Sequence, residues 1–446
     1  PDFVGKAKGV TVKRVDTNGT PATAKYTPIV KPVVPEGFDN ITTGVQGQEQ
    51  NGKPYFKPGN KAVPIDYDKP ATLLDPETKQ PVPSNELPAK DPKGNVIGKY
   101  TLDPTTGVVK FTPKDKSYVG SVQPVTVQRV DKNTTPATAE YTPVIVGVKP
   151  TAKPAESTDV QGATQKQPIT FKGGTADLED PVGNPIKSDP VPINPGSVTL
   201  LGEDGQPTEE VVVKDPKDPS KVIGKYTLVK EPGKDPVAVY TPTDKTYVGP
   251  VPPVTIQAAD MNGTPVRTTY TPNIKPVKPT ATPAKTTDVQ GKAQTGLPEF
   301  KGGKVTINGE EKVVPIDETK APKLIDPTTG KPTDKVVVEG EGTYTIEDGK
   351  VKFQPEPQFT GTATGVEVQR EDTNGTPVKA KYTPTVTPVK PTGEDVTSED
   401  VQGVPQTGKP VFEGGDKEVP IDDKVPATFE DGSTEKKVPG EGTYTI

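Results

Sequence analysis

Self-similarity at a fixed period constrains this chain more than any other feature. One signature occurs four times, from Asp16 to Tyr26, Asp131 to Tyr141, Asp260 to Tyr270 and Asp372 to Tyr382, and each tyrosine is followed by Thr-Pro. The tyrosines lie 115, 129 and 112 residues apart. From each it is 21 residues to the glycine of a Val-Gln-Gly triplet (Gly47, Gly162, Gly291, Gly403), then nine more to a phenylalanine (Phe56, Phe171, Phe300, Phe412). A Val-Pro-Ile element (Ile65, Ile193, Ile316, Ile421) and a Gly-x-Tyr-Thr element (Tyr100, Tyr226, Tyr344, Tyr444) follow at unequal distances. Repetition on this scale means an array of like units, not one large domain. Constant spacing in one part and tolerated insertion in another is how a packed scaffold with surface loops behaves, since a paired strand cannot accept one residue without changing face. The period divides the chain into the C-terminal part of a repeat (1–33), complete repeats at 34–148, 149–277 and 278–389, and the N-terminal part of a repeat (390–446). The stretch Lys172 to Pro190 reads as an insertion specific to the second complete unit.

Local patterning predicts strands. Val125 and Val127 alternate with polar neighbours, as do Ala137, Ala139 and Tyr141, which is the period of a half-buried strand. Val10 and Val12, Val254 and Ile256, and Val366 and Val368 repeat the pattern. Between the two arms lies a turn such as Asp16-Thr17-Asn18-Gly19-Thr20, whose asparagine and glycine tolerate positive φ, so each signature is a β-hairpin. No segment carries a 3.6-residue apolar period, and proline recurs too often for long helices. The expected fold is all-β: tandem Ig-like β-sandwich repeats in an elongated rod. Joining segments such as Val148-Lys149-Pro150-Thr151 and Lys275-Pro276-Val277-Lys278-Pro279-Thr280 favour polyproline II and read as semi-rigid spacers.

Composition narrows the function. Apolar residues are only 29% of the chain, so the cores are thin, and 57 prolines and 44 glycines bring it near the range of low-complexity disorder. With no cysteine there is no disulfide framework, no thiolate zinc site and no cysteine nucleophile. With no histidine the usual general base of a serine triad and the commonest transition-metal ligand are missing. Net charge is −6, from 54 basic and 60 acidic residues mixed along the chain, which argues against a nucleic-acid partner. No apolar run reaches the length of a membrane span. The first residues, Pro1-Asp2-Phe3-Val4-Gly5, fall inside a repeat, so targeting signals are expected elsewhere.

Several features invite a chemical reading. Asp16-Thr17-Asn18-Gly19 looks like a calcium loop, yet an EF-hand places glycine sixth and adds ligands that are missing here, so the hairpin turn is preferred. Glu209-Glu210 and Glu310-Glu311 are adjacent pairs in the variable segment, whereas a glycosidase needs separated carboxyls, and they read as solvated charge. The recurrent tyrosines and phenylalanines sit on the apolar side of alternating strands and read as core. No catalytic, cofactor-binding or metal-ligating residue is assigned, and no cofactor is expected.

Gly342-Thr343-Tyr344-Thr345-Ile346, Val351-Lys352-Phe353-Gln354-Pro355, Phe359-Thr360-Gly361, Val366-Glu367-Val368, Asp372-Thr373-Asn374-Gly375-Thr376 and Tyr382-Thr383-Pro384 together resemble the CshA-type fibril repeat of Gram-positive surface adhesins. The likeness recurs across essentially the whole chain. It implies a secreted, sortase-anchored fibrillar protein whose repeats form the stalk behind a separate binding region, extracellular and held to the cell wall through a segment outside these residues. Val404-Pro405-Gln406-Thr407-Gly408 looks like a sorting signal, but it precedes Lys409-Pro410-Val411-Phe412 and aligns with Lys292 to Gly296 and Gln48 to Gly52, so it reads as a loop variant. Lysine–asparagine isopeptide crosslinks occur in some Gram-positive stalks; no recurring lysine, asparagine and acid trio stands out here. Two functions follow. The repeats are a spacer with no partner but their neighbours, or they themselves contact host extracellular matrix proteins or other cells through their variable loops.

Overall fold

The computed structural model describes residues 3–179 and 183–446. Asp180 to Val182, within the Lys172 to Pro190 insertion, lie outside the described residues, as do Pro1 and Asp2. The described chain is built of strands, and its helical content is one 3-10 turn, Pro195–Ser197, whose Gly196 amide is capped by the Asn194 side chain at 3.1 Å.

Each complete repeat closes two sheets over one core. In the first, one sheet orders the strands Glu86–Lys90, Val96–Leu102, Val109–Pro113 and Gln50–Gly52. The other places Pro136–Val146 between Val125–Val130 and the opening strand Asn40–Val45, with Thr72–Leu74 beyond Val125–Val130. The same order recurs in the other two complete units. The hairpin predicted from alternation is present in all four copies, with Val125 opposite Tyr141 and Val10 opposite Tyr26. Its turn differs from the expectation in one respect: only the fourth residue takes positive φ, Gly19 at 80°, Gly263 at 86° and Gly375 at 86°, with Thr134 at 69° in the first complete unit. This is a type I turn closed by one left-handed residue, which matches strand twist without needing two.

One pairing has no local signal. The opening strand runs parallel to the closing strand in every complete unit, Asn40 to Val45 beside Tyr141 to Val146, Ala155 to Val160 beside Tyr270 to Lys275, and Ala284 to Val289 beside Tyr382 to Thr387. A hydroxyl triad pins that pairing to the opposite sheet. Thr42 Oγ1 donates to Gln50 Oε1 at 2.7 Å and lies 2.8 Å from the Tyr141 hydroxyl, while Gln50 Nε2 donates to the Val144 carbonyl. Ser157, Gln165 and Tyr270 repeat it, as do Thr286, Gln294 and Tyr382.

The cores are aromatic and narrow. Tyr100 packs edge-on against Tyr141, Tyr226 against Tyr270 and Tyr344 against Tyr382, with ring centroids 6.1, 5.8 and 6.4 Å apart. The tyrosines therefore serve as core in the complete units. The same positions in the partial repeats are open: Tyr26 is 64% exposed and Tyr444 51%, because neither partial repeat contains the sheet that covers them. The chain presents 28014 Å² to solvent, against roughly 16,000 Å² for a compact globule of the same mass. The architecture is a rod of tandem β-sandwiches.

Two predictions follow from this packing. Tyr270→Ala removes a fully buried ring and costs its unit about 3–5 kcal/mol, whereas Tyr26→Ala, at the same repeat position, changes stability by less than about 0.5 kcal/mol; urea unfolding of each variant reads the contrast. The second concerns pH. The Thr78 amide holds the Asp75 carboxyl below the usual range, and the Asn95 side chain and the Thr106 hydroxyl do the same for Asp91 and Asp103. Depressed carboxylates add stability above their unfolded pKa of about 3.9 and lose it as pH falls through the folded value. Burial pushes Tyr240 up to about 12 and raises Tyr100 and Tyr226 as well, so these stabilise below their unfolded pKa and lose that contribution as pH rises through the folded one. With no histidine in the chain, melting temperature should stay flat between about pH 5 and pH 9 and fall on both sides; calorimetry showing a step near pH 6.5 would contradict this.

Candidate functional site at the junction between units

Where one sandwich meets the next, the Val-Gln-Gly triplet does the work. Val45 to Gln48 form a turn closed by the Gln48 amide donating to the Val45 carbonyl, with Gly47 at φ 75° in the third position. That conformation calls for glycine. Gly162 at 80° and Gly291 at 81° occupy the same place. The middle residue is a glutamine, buried at Gln46 and Gln161 and half-buried at Gln290, that ties the joining segment down: Gln46 Oε1 accepts from the Val148 amide at 3.0 Å, Gln161 Oε1 from Val277 at 3.2 Å and Gln290 Oε1 from Val389 at 3.3 Å.

The outer face of the turn receives the hairpin of the following unit. Asn262 Nδ2 donates to the Gln46 carbonyl at 2.8 Å, and Asn374 Nδ2 donates to the Gln161 carbonyl at 2.8 Å. Gln46 Nε2 also reaches the Thr264 hydroxyl at 3.0 Å. The close approach is a second reason for glycine, since a Cβ on Gly47 would overlap the Asn262 side-chain oxygen and one on Gly162 that of Asn374. The asparagines are aimed by the aspartate two residues before them. Asp260 Oδ1 accepts from the amides of Asn262 and Thr264, and Asp372 Oδ1 from those of Asn374 and Thr376, at 2.8 to 2.9 Å.

An apolar cluster seals each of the first two junctions. Val45, Val148, Ala176 and Val191 are buried together with Val146 and Leu178 packed on them, and Val160, Val277, Ile307 and Val314 form the counterpart with Ala163 and Val305. The proline-flanked joining segments are thus not free spacers. Val148 and Val277 are 3% and 5% exposed, and the backbone of Lys149 lies against Gly174 as that of Lys278 lies against Gly303, leaving no room for a Cβ. Polyproline sequence and buried valine coexist because inward and outward positions alternate: Val148 and Pro150, like Val277 and Pro279, are buried while Lys149 and Lys278 between them are exposed. The insertion also proves less particular than its sequence suggests: its described part forms a hairpin, Asp177–Glu179 with Pro185–Lys187, and the third complete unit carries Gly303–Ile307 paired with Glu310–Val314 at the same place.

The features that invited a chemical reading have hydrogen-bond or ion-pair partners within the fold. Asp16 Oδ1 accepts from the Asn18 and Thr20 amides, so the turn aspartates are backbone caps, and among the described residues no three acidic groups converge as a metal site would require. Glu210 pairs with Lys225, Glu310 with Lys312 and Glu311 with Lys304, all at the surface and on strands. Gln406 of Val404 to Gly408 accepts from Ser398 Oγ at 2.7 Å, the contact made by Gln50, Gln165 and Gln294. Sequence reading marked the Val-Gln-Gly triplet by its constant distance from the tyrosine but assigned it no role.

The profile of the surface adhesin CshA repetitive domain matches residues 1–30, 32–145, 147–274, 276–386 and 388–446. The chain belongs to the CshA surface adhesin repeat family. It is a repeat region of surface adhesin type, and the matched segments follow one another with a residue or less between them. No curated protein matches the chain. Solved structures that it is similar to include the titin domains I67–I69 (10% identity, TM-score 0.27, 80% of this chain and 96% of that one) and mouse cadherin-23 EC22–24 (12% identity, TM-score 0.28, 80% and 100%).

The junction generates its own test. In Gln161→Ala the Val277 amide loses its acceptor while remaining buried, which costs about 1–3 kcal/mol locally. Hydrogen exchange at Val277 should quicken by about 5- to 150-fold, with amides in Val237–Pro242 unchanged; an unaltered Val277 amide would show that the glutamine is not what ties the joining segment down.

Proposed function

We propose that these repeats are the non-catalytic, tension-bearing stalk of a secreted, cell-wall-anchored adhesin of a Gram-positive bacterium, carrying a distal binding region away from the surface. In this reading the mechanical units are 34–148, 149–277 and 278–389, and anchor and binding region lie outside these residues. What carries it is the parallel pairing of opening and closing strands. Tension along the chain enters a unit at the start of its first strand and leaves at the end of its last. Because those strands are parallel and in register over six residues, Asn40 to Val45 beside Tyr141 to Val146, the pull drags them past each other lengthwise. Ladder bonds loaded this way share the force and break together, whereas an antiparallel hairpin pulled at its open end unzips one bond at a time.

The clamps concentrate at the same place. The Thr42, Gln50 and Tyr141 triad ties the two strands to the opposite sheet, and Gln46 holds the exit segment at Val148. The family supports an extracellular setting, and among the described residues no helix is long and apolar enough to cross a membrane.

Force–extension measurements on the whole chain test the proposal. Three high-force peaks are expected, each releasing about 380–410 Å of contour for a unit such as 34–148, less its folded length. Thr42→Pro disrupts the parallel ladder of one unit and should remove one peak from the high-force set while the other two persist. Extension without discrete peaks, or three peaks indifferent to the substitution, would overturn the reading.

A further inference from the structure

Each complete repeat carries a short two-stranded ribbon at its start. Glu36–Phe38 pairs with Tyr55–Lys57 in the first, Thr151–Ala152 with Phe171–Lys172 in the second and Thr280–Thr282 with Glu299–Lys301 in the third. The phenylalanine common to all three, Phe56, Phe171 or Phe300, packs on the core of its unit. Alternation therefore sends the residues on either side of it outward. By the constant spacing, the outward positions of the second and third repeats hold Thr151, Lys153, Thr170 and Lys172, and Thr280, Thr282, Glu299 and Lys301. The first holds Glu36, Phe38, Tyr55 and Lys57.

Two aromatic rings facing water set this ribbon apart. Within residues 34–389 the exposed phenylalanines and tyrosines are Phe38, Tyr55 and Tyr67, at 38%, 55% and 59%. The Arg129 guanidinium lies over Tyr67, 4.9 Å from its ring centre. Phe38 and Tyr55 stand opposite each other in the ladder, with centroids 6.0 Å apart and planes inclined at 41°. Their exposure belongs to the position in the repeat. Lys153, Thr170, Thr282 and Glu299 occupy the same points in repeats that follow a complete repeat, and all four are exposed there too.

Unspent polar groups flank the rings. Lys57 Nζ rests 4.4 Å from the Phe38 centroid, and Glu36 is the residue across the ladder from Lys57. Among the described residues neither side chain has an ion-pair or hydrogen-bond partner, whereas the corresponding Lys301 pairs with Glu299 at 3.0 Å. Two ring faces, one acceptor and one donor narrow what fits. The C–H bonds on one face of a pyranose carry partial positive charge and seat on the negative face of an aromatic ring. Each sugar hydroxyl both donates and accepts, so neighbouring hydroxyls satisfy Glu36 and Lys57 together. A charged ligand meets a charge of its own sign on one side, and a purely apolar one strips water from both ions without replacing it.

We propose that the ribbon formed by Glu36–Phe38 and Tyr55–Lys57 is a binding site for a neutral hexopyranose unit of a glycan. Phe38 and Tyr55 are the platform, Glu36 accepts from the sugar hydroxyls and Lys57 donates to them. An open platform holds a single sugar weakly, and several copies on one surface raise the avidity. The inference stands apart from the stalk reading, which rests on the pairing of opening and closing strands.

Binding of the full chain to an array of immobilised neutral hexose oligosaccharides tests it, with sulfated and uronate-containing oligosaccharides and a proline homopolymer on the same array. Retention is expected on neutral members. Tyr55→Thr and Phe38→Thr each install the residue that another repeat carries at that point, Thr170 or Thr282, so the fold accommodates them and unchanged melting is the control. Each should weaken retention about three- to tenfold, and Glu36→Thr, the residue at Thr151 and Thr280, should weaken it as well. No retention on any neutral member, stronger retention on the charged members or the proline homopolymer, or retention that survives Tyr55→Thr and Phe38→Thr combined would overturn the proposal.

Discussion

Much of this structure depends on one buried carboxylate per unit. Asp131, Asp260 and Asp372 are at most 1% exposed, and in each the Oδ1 atom accepts from the two backbone amides that turn the chain at the tip of the hairpin. The same three residues bridge to Ile65, Ile193 and Ile316 of the Val-Pro-Ile element, so the hairpin tip is bound to the rest of its own unit. In Asp260 and Asp372 the geometry has a second consequence, since the residue two positions on is the asparagine that reaches the preceding unit. One side chain therefore fixes a turn inside a domain and aims the contact between domains. An aspartate is suited to this because its short side chain folds back on its own backbone, which a glutamate in the same place would overshoot.

A thin core explains why such contacts matter. Few large aliphatic residues are available, and the sandwiches are filled by tyrosines whose hydroxyls must be satisfied once the rings are buried. The triads meet that need for Tyr141, Tyr270 and Tyr382, and the carbonyls of Gln123 and Pro252 do so for Tyr100 and Tyr226. Each of those bonds joins positions 23 to 113 residues apart in sequence. The polar satisfaction of the core and the cross-linking of the sheets are thus the same set of interactions, in a chain that has no disulfide to call on.

How far this was legible in the sequence depends on range. Hairpins with alternating arms, the turn between them and the inward face of Tyr141 follow from patterns only a few residues long. The opening strands do not announce themselves: Asn40-Ile41-Thr42-Thr43-Gly44-Val45 is mostly polar, and its parallel partner lies 101 positions away. Long-range parallel pairing leaves no local imprint. The junction left an indirect one, the unvarying 21 residues between tyrosine and glycine. That distance is fixed because the closing strand, the buried valine of the joining segment, the opening strand and the Val-Gln-Gly turn must each meet its partner at once. Proline two residues after Val148, and on either side of Val277, pointed to an extended backbone and concealed that the valines are buried.

The unequal lengths in the middle of the repeats acquire a meaning at the same joint. Variable segments invite a reading as recognition loops, because loops tolerate change and carry binding. Here the longest variable segments after the Phe171 and Phe300 positions place Ala176 and Leu178, or Val305 and Ile307, into the cluster shared with the preceding unit. The first complete repeat and the 390–446 partial repeat instead have a tight turn at that point, bridging Asn60 to Val63 and Asp416 to Val419. Length at this position therefore sets how much apolar surface one sandwich lays against the last. A joint with a hairpin wedge buries an apolar cluster that one with a bare turn does not, without altering the glutamine and glycine that the junctions share.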